Sequence, residues 1–217
     1  MFRNFLSTHT QNNIPDESTL RKNDVLPLYQ QSLQRIRNII SRYNIFIIVD
    51  ETTDSLNRHL CNILVGPLLP DKFMRPFLLD CVILESTNSA SISQSITNAL
   101  LVLWPSQIHY SRVRLLLSDA AAYMKKAVRG LTGLFPMMLH QTCAAHVIHR
   151  VAEVIRSSYP DVNDLIASSK QIFVKAPSRR RALFNSTGLP LPPSPTVTRW
   201  GTCFEAACYY AEHFDAF

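Results

Sequence analysis

The spacing of apolar residues changes several times along this chain, and each change predicts an element. From Leu26 to Tyr43 the positions Leu26, Leu28, Tyr29, Leu33, Ile36, Ile39 and Ile40 form a helical stripe. An unbroken run, Ile45-Phe46-Ile47-Ile48-Val49, follows and ends at Asp50, as expected of a strand buried on both faces. Glu51 to Ser55 then reads as a polar loop. Two more strands are predicted at about 60–69 and 75–85, with Pro70-Asp71 as the turn between them. Residues 90–104 return to helical spacing through Ile92, Ile96, Leu100 and Leu103 and stop at Pro105. A second branched run, Val113 to Ser118, predicts a strand that ends at Asp119. A helix at about 119–130 closing at Gly130, a strand at 136–142 and a helix at 143–158 complete this part.

Three strands on short connections, followed by alternating helices and strands, give an α/β class. The expected sheet is mixed: a meander first, then βαβ crossovers. Beyond Pro160 the chain is helical and basic, then proline-rich at 190–195, then Thr198-Arg199-Trp200. Phe204, Ala207, Cys208, Ala211 and Phe214 hold helical spacing to the last turn with no stop signal, so the chain is expected to end inside a structure. Residues 1–15 are polar and without periodicity, which predicts mobility. The expected organisation is a mobile segment at 1–24, a core at 25–159, and at 160–217 the start of an all-α insertion.

Composition narrows the class without naming a function. The chain has 217 residues, 47% of them hydrophobic and 18% charged, and its apolar runs are too short to span a membrane. Five scattered cysteines do not form a disulfide pattern and fit a reducing, intracellular setting. The net charge of +6 is uneven. Residues 1–111 carry nine basic and nine acidic side chains, whereas residues 112–199 carry thirteen against four. Such a surplus suits a polyanionic partner, most simply nucleic acid; a solvated basic surface is the plain alternative.

Asp50 and Asp119 are the candidate chemistry. Each ends a buried strand, and two such strands side by side would hold a divalent metal, Mg²⁺ or Mn²⁺, between two carboxylates. Each acid also has a structural alternative: Asp50 as a cap on the turn with Thr52 or Thr53, Asp119 as the N-cap of the next helix. Glu51 would point away from Asp50 on a strand, which argues against an Asp-x-Glu nuclease pair. Cys143 and His146 have the spacing of half a zinc site but no second pair nearby, so packing or support of the acid edge competes with metal binding. Arg179, Arg180 and Arg181 suit phosphate contact or nuclear import, or simply solvation. Arg199 and Trp200 suit a phosphate contact with a stacked base, or core packing. With five glycines and no glycine-rich loop, a mononucleotide cradle is not indicated.

Four blocks together resemble the hAT (hobo/Ac/Tam3) superfamily of DNA transposases, especially its DUF659-like transposase-derived group. They are Ile48-Val49-Asp50-Glu51-Thr52-Thr53-Asp54, Leu117 to Ala127, Cys143-Ala144-Ala145-His146-Val147-Ile148-His149, and Thr198-Arg199-Trp200. They occur in family order over roughly 25–217. The resemblance implies an RNase H-like core working on DNA in the nucleus. Asp50 and Asp119 would be its first two catalytic acids and Mg²⁺ or Mn²⁺ its cofactor. Cys143 and His146 would support the site, and Arg199 and Trp200 would contact a displaced base. The implied reaction cuts DNA at a transposon end and lets the freed 3′-hydroxyl attack a second strand. Ser118 stands where the family more often has Thr, and Ala121 where many members have Asn. A zinc finger, a dimerisation region for self-association and a third acid, a late glutamate expected beyond Phe217, do not fall within the matched blocks. The expectation is therefore a truncated or degenerate transposase-derived core, inactive by itself. A domesticated, non-catalytic module that binds DNA or protein is the alternative.

Overall fold

The computed structural model describes residues 2–173, 176–194 and 202–216. The chain divides into two compact units, Met1–Thr142 and Cys143–Phe217.

In the first unit α1 (Phe2–Thr10) is helical where the sequence predicts only a mobile segment. α2 (Glu17–Leu20) begins at Asp16, whose carboxylate accepts the Thr19 N–H at 2.7 Å. A π-helical stretch, Arg21–Val25, carries it into α3 (Leu26–Ile40). The strands β1 (Ile45–Thr53), β2 (His59–Pro67) and β3 (Phe77–Leu84) follow, then α4 (Ser89–Leu103), β4 (Val113–Ser118), α5 (Ala122–Leu131) and β5 (Leu139–Thr142). They form one five-stranded sheet in the order β3-β2-β1-β4-β5. β1–β2 and β2–β3 are antiparallel, whereas β1–β4 and β4–β5 are parallel. The expected meander followed by crossovers is what the chain builds.

One boundary differs in a way that matters for the site. The loop predicted at Glu51 to Ser55 begins only at Asp54, because Glu51, Thr52 and Thr53 pair with Cys61, Leu60 and His59. The hairpin turn is held by Asp54, whose Oδ1 accepts the N–H groups of Leu56 and Arg58 at 2.9 Å. Asn57 takes the left-handed conformation there, at φ 60°, which asparagine tolerates better than most residues. These contacts keep three polar residues in the ladder, where periodicity alone would have released them. The fifth helix also begins at Ala122, not Asp119, and passes through Gly130 to Leu131; β5 starts at Leu139, not 136.

The core lies on one face of the sheet. Ile45, Ile47 and Val49 of β1, Cys61, Ile63 and Val65 of β2, and Val113 and Leu116 of β4 are almost wholly buried there. α4 supplies Ile92, Ile96, Ala99, Leu100 and Leu103 at helical spacing. Its start is fixed by a capping box: Asn88 Oδ1 accepts the Ser91 N–H, and the Ser91 hydroxyl accepts the Asn88 N–H. α5 adds Met124, Ala127, Val128 and Leu131. Each fully buried aliphatic chain is worth about 1.5–3 kcal/mol over exposure, so this layer fixes where the strands end.

The second unit holds α6 (Ala144–Ser157), α7 (Pro160–Phe173), α8 (Pro177–Thr187) and α9 (Thr202–His213). Its core is small: Ile166, Ala206, Tyr209 and Tyr210 form a buried cluster, and the Tyr209 hydroxyl donates to the Pro190 carbonyl at 2.6 Å.

Candidate functional site

Ile48 of β1 pairs with Leu117 of β4, and Asp50 and Asp119 each lie two residues further along. Neighbouring strands run about 4.8 Å apart, so continuing that register brings Asp50 of β1 and Asp119, just past β4, to the same end of the sheet. Both are half-buried. Asp50 is inside β1, opposite Asn62 of β2, and not at the strand's end as its sequence suggests. Asp119 has left β4 and turns the chain into α5: its Oδ1 accepts the Ala121 N–H at 3.1 Å. That bond occupies one carboxylate oxygen in the structural role expected of a helix-start aspartate, and it is compatible with a second role for the other oxygen.

The backbone carrying Asp119 is itself tied down. The Ser118 hydroxyl lies 3.0 Å from the Asp119 carbonyl, to which it donates, and 2.9 Å from Nε2 of His140 on β5. With Nε2 protonated, His140 donates to Ser118 and the chain of bonds is consistent. Burial, and then the Lys125 ammonium, hold the His140 imidazole below its ordinary value and favour this neutral form. Ser118 is buried, and its small hydroxyl fits between strand and histidine.

Glu51 has a different place from the one expected. It points to the core-side face with Ile47 and Val49, its side chain 18% exposed. Oε1 lies 2.9 Å from His59 Nδ1, and Oε2 accepts the Tyr123 hydroxyl at 3.2 Å. Burial pushes the Tyr123 phenol up to about 12, aided by the negative charges of Asp119 and then Glu51. Tyr123 therefore senses both carboxylates. Local sequence carries no sign of these contacts, since Glu51 meets its partners 8 and 72 residues away.

A raised phenol favours the neutral form in the folded chain. Its stabilisation is complete below the unfolded value near 10 and fades as pH rises through about 12. In an absorbance titration of the native chain, two of the seven tyrosines should ionise late, Tyr209 because burial raises its phenol and Tyr123 near 12, and Tyr123→Phe should delete the step near 12. A step near 12 that survives the substitution would assign it to another phenol.

The remaining predicted residues lie in the second unit. Cys143 immediately precedes α6, and its carbonyl accepts the Val147 N–H at 3.2 Å; His146 sits in the first turn of α6. Both are half-buried. Arg179, Arg180 and Arg181 are exposed on α8. Two of them already serve the fold: Arg179 Nη1 donates to the Ile172 carbonyl at 3.3 Å and Arg180 Nε to the Phe173 carbonyl at 2.8 Å. These cations stabilise the end of α7, where unpaired carbonyls carry partial negative charge, and each guanidinium retains further donors. Arg199 and Trp200 lie outside the described residues.

Among the described residues no group of three or more His, Cys, Asp or Glu side chains is arranged to hold a metal ion. A half-buried carboxylate on β1 and another just past β4 nevertheless match the donor set of Mg²⁺, which keeps most of its waters and takes one or two protein carboxylates. No described helix is long and apolar enough to cross a membrane.

No protein-family model matches this chain, and no curated protein matches it. Among solved structures it is similar to a chain of the simian T-cell lymphotropic virus intasome in complex with PP2A regulatory subunit B56 gamma. The identity is 11%, the TM-score 0.31, and the match covers 76% of this chain. It spans 54% of that chain, about half its length.

Proposed function

We propose that this chain is a DNA-binding, hAT-type transposase-derived protein on an RNase H-like core, acting in the nucleus. The observation that carries the reading is the sheet order β3-β2-β1-β4-β5 with Asp50 on β1 and Asp119 just past β4, each two residues beyond the Ile48–Leu117 pair. The four sequence blocks supply the family. Asp50 and Asp119 would hold one Mg²⁺ or Mn²⁺, which when bound polarises a phosphate oxygen or lowers the pKa of an attacking water. The chain's own part is to keep the two carboxylates level: β1 does so through its ladders on both sides, and Ser118 and His140 do so for the backbone at Asp119. Two protein ligands make a weak site, so strand cleavage needs at least one more ligand group. The thirteen basic residues of 112–199 suit a DNA backbone. The alternative, a non-catalytic module that binds DNA or protein, keeps the same fold without metal.

Mn²⁺ titration with thermal melting separates the two. At tenfold excess over its dissociation constant, an ion bound only by the folded state adds about 1.4 kcal/mol, a rise of roughly 3–5 °C. Asp50→Asn should remove that rise, as should Asp119→Asn, which still accepts the Ala121 N–H and so spares the turn. A rise undiminished in both variants would leave the acids no part in metal binding.

A further inference from the structure

At the other end of the sheet, α3 and α4 bring their C-termini together, and two arginines tie them. Arg37 of α3 donates from Nε to the Leu103 carbonyl at 3.2 Å and from Nη2 to the Val102 carbonyl at 2.7 Å. Arg112, just before β4, donates from Nε to the Tyr43 carbonyl at 3.1 Å and from Nη2 to the Ile40 and Tyr43 carbonyls. Its guanidinium also lies 5.5 Å from the centre of the Trp104 ring, and the His109 ring meets Trp104 edge-on at 5.2 Å. These groups line an open groove of about 500 Å³. Arg112 and Asp119 flank the six residues of β4, so the groove is about 20 Å from the acid pair.

The lining selects a ligand. It contains no Asp or Glu. Two guanidinium charges outweigh two helix ends of about −0.5 each, which leaves the groove positive by roughly one charge. Each arginine has spent its Nε side on carbonyls, so the planes are fixed and the Nη1 donors remain. Amide and hydroxyl side chains, among them Gln34, Asn38, Ser106 and Gln107, complete the wall. An indole and an imidazole supply flat rings. The matching ligand is anionic, rich in acceptors and carries unstacked rings of its own.

We infer that this groove is a binding site for single-stranded nucleic acid, with phosphates at Arg37 and Arg112 and a base against Trp104 or His109. A duplex offers phosphates but keeps its bases stacked, so the single strand is the better fit. The inference stands on this groove and not on Asp50 or Asp119, and the two fail separately.

The test measures binding of a fluorescein-labelled oligothymidine and a duplex hairpin to the full chain by anisotropy at low salt. The variant is Ser106→Glu with Gln107→Glu, two exposed residues outside the core. It should weaken single-strand binding by at least about tenfold. Glu85→Gln, an exposed residue just past β3 and outside both sites, should leave it unchanged. Photocrosslinking of an iodouracil oligomer to the unmodified chain should label Trp104 or His109, a readout that does not depend on any variant folding. Absent single-strand binding, binding indifferent to the double variant, or crosslinks mapping only to α8 would each overturn the site. So would a loss seen only with an acidic peptide, which would make the groove a peptide site.

Discussion

Leu116→Ala is expected to cost about 2–5 kcal/mol and to lower the melting temperature by on the order of 10 °C. Leu116 is fully buried in β4 and pairs with Ile47 of β1, itself almost completely buried, so the deletion opens a cavity between the two acid-bearing strands. Its helix-facing surroundings are already fixed by α4 and α5, and close-packed walls collapse only partly into such a space. Urea unfolding followed by circular dichroism measures the loss. The control is Leu139→Ala on β5, where the same residue type is 72% exposed and should change stability by no more than about 0.5 kcal/mol. Equal effects at the two sites would mean that the sheet's buried face has been assigned wrongly.

Gly66→Val is expected to destabilise by about 3 kcal/mol, for a steric and not a conformational reason. Gly66 of β2 lies directly opposite Phe46 of β1, and a Cβ placed on it would meet the phenyl ring at 2.4 Å from Cζ and 2.6 Å from Cε1. Phe46 is only 8% exposed, so its ring has little room to swing aside. The ring covers the glycine across the ladder, an arrangement that recovers packing where a strand lacks a side chain. Removing the ring should relieve the clash. Phe46→Ala combined with Gly66→Val should be more stable than the sum of the single losses implies, by at least about 1 kcal/mol. A strictly additive pair would show that ring and glycine do not compete for this space.

How far the sequence reading reached depended on the range of the interactions concerned. The strand runs at Ile45–Val49 and Val113–Ser118 announced themselves through their branched apolar residues, although only β1 is buried at nearly every position of its run. The helix predicted at 90–104, found at Ser89–Leu103, was equally clear, since its apolar stripe and its stop before Pro105 are local. Local polarity predicts a loop at Glu51, but what keeps it in the strand is a ladder to Cys61, and that register is closed by the Asp54–Arg58 turn. The groove at Trp104 gave no signal, for its arginines bond carbonyls 65 to 72 residues away.

By itself, then, the sequence determined the alternation of elements, the α/β class, the meander-then-crossover order and the place of Asp119 just past a strand end. Each follows from which residues can be buried and at what period, a property written along the chain. Only the tertiary structure decided the register that sets Asp50 level with Asp119. It also decided the Ser118–His140 tie and the partners of Glu51, and it gave two of the three arginines of α8 a place at the end of α7. Those are decided by hydrogen-bond geometry between segments far apart in sequence, where a side chain's neighbours exist only after the strands and helices have packed.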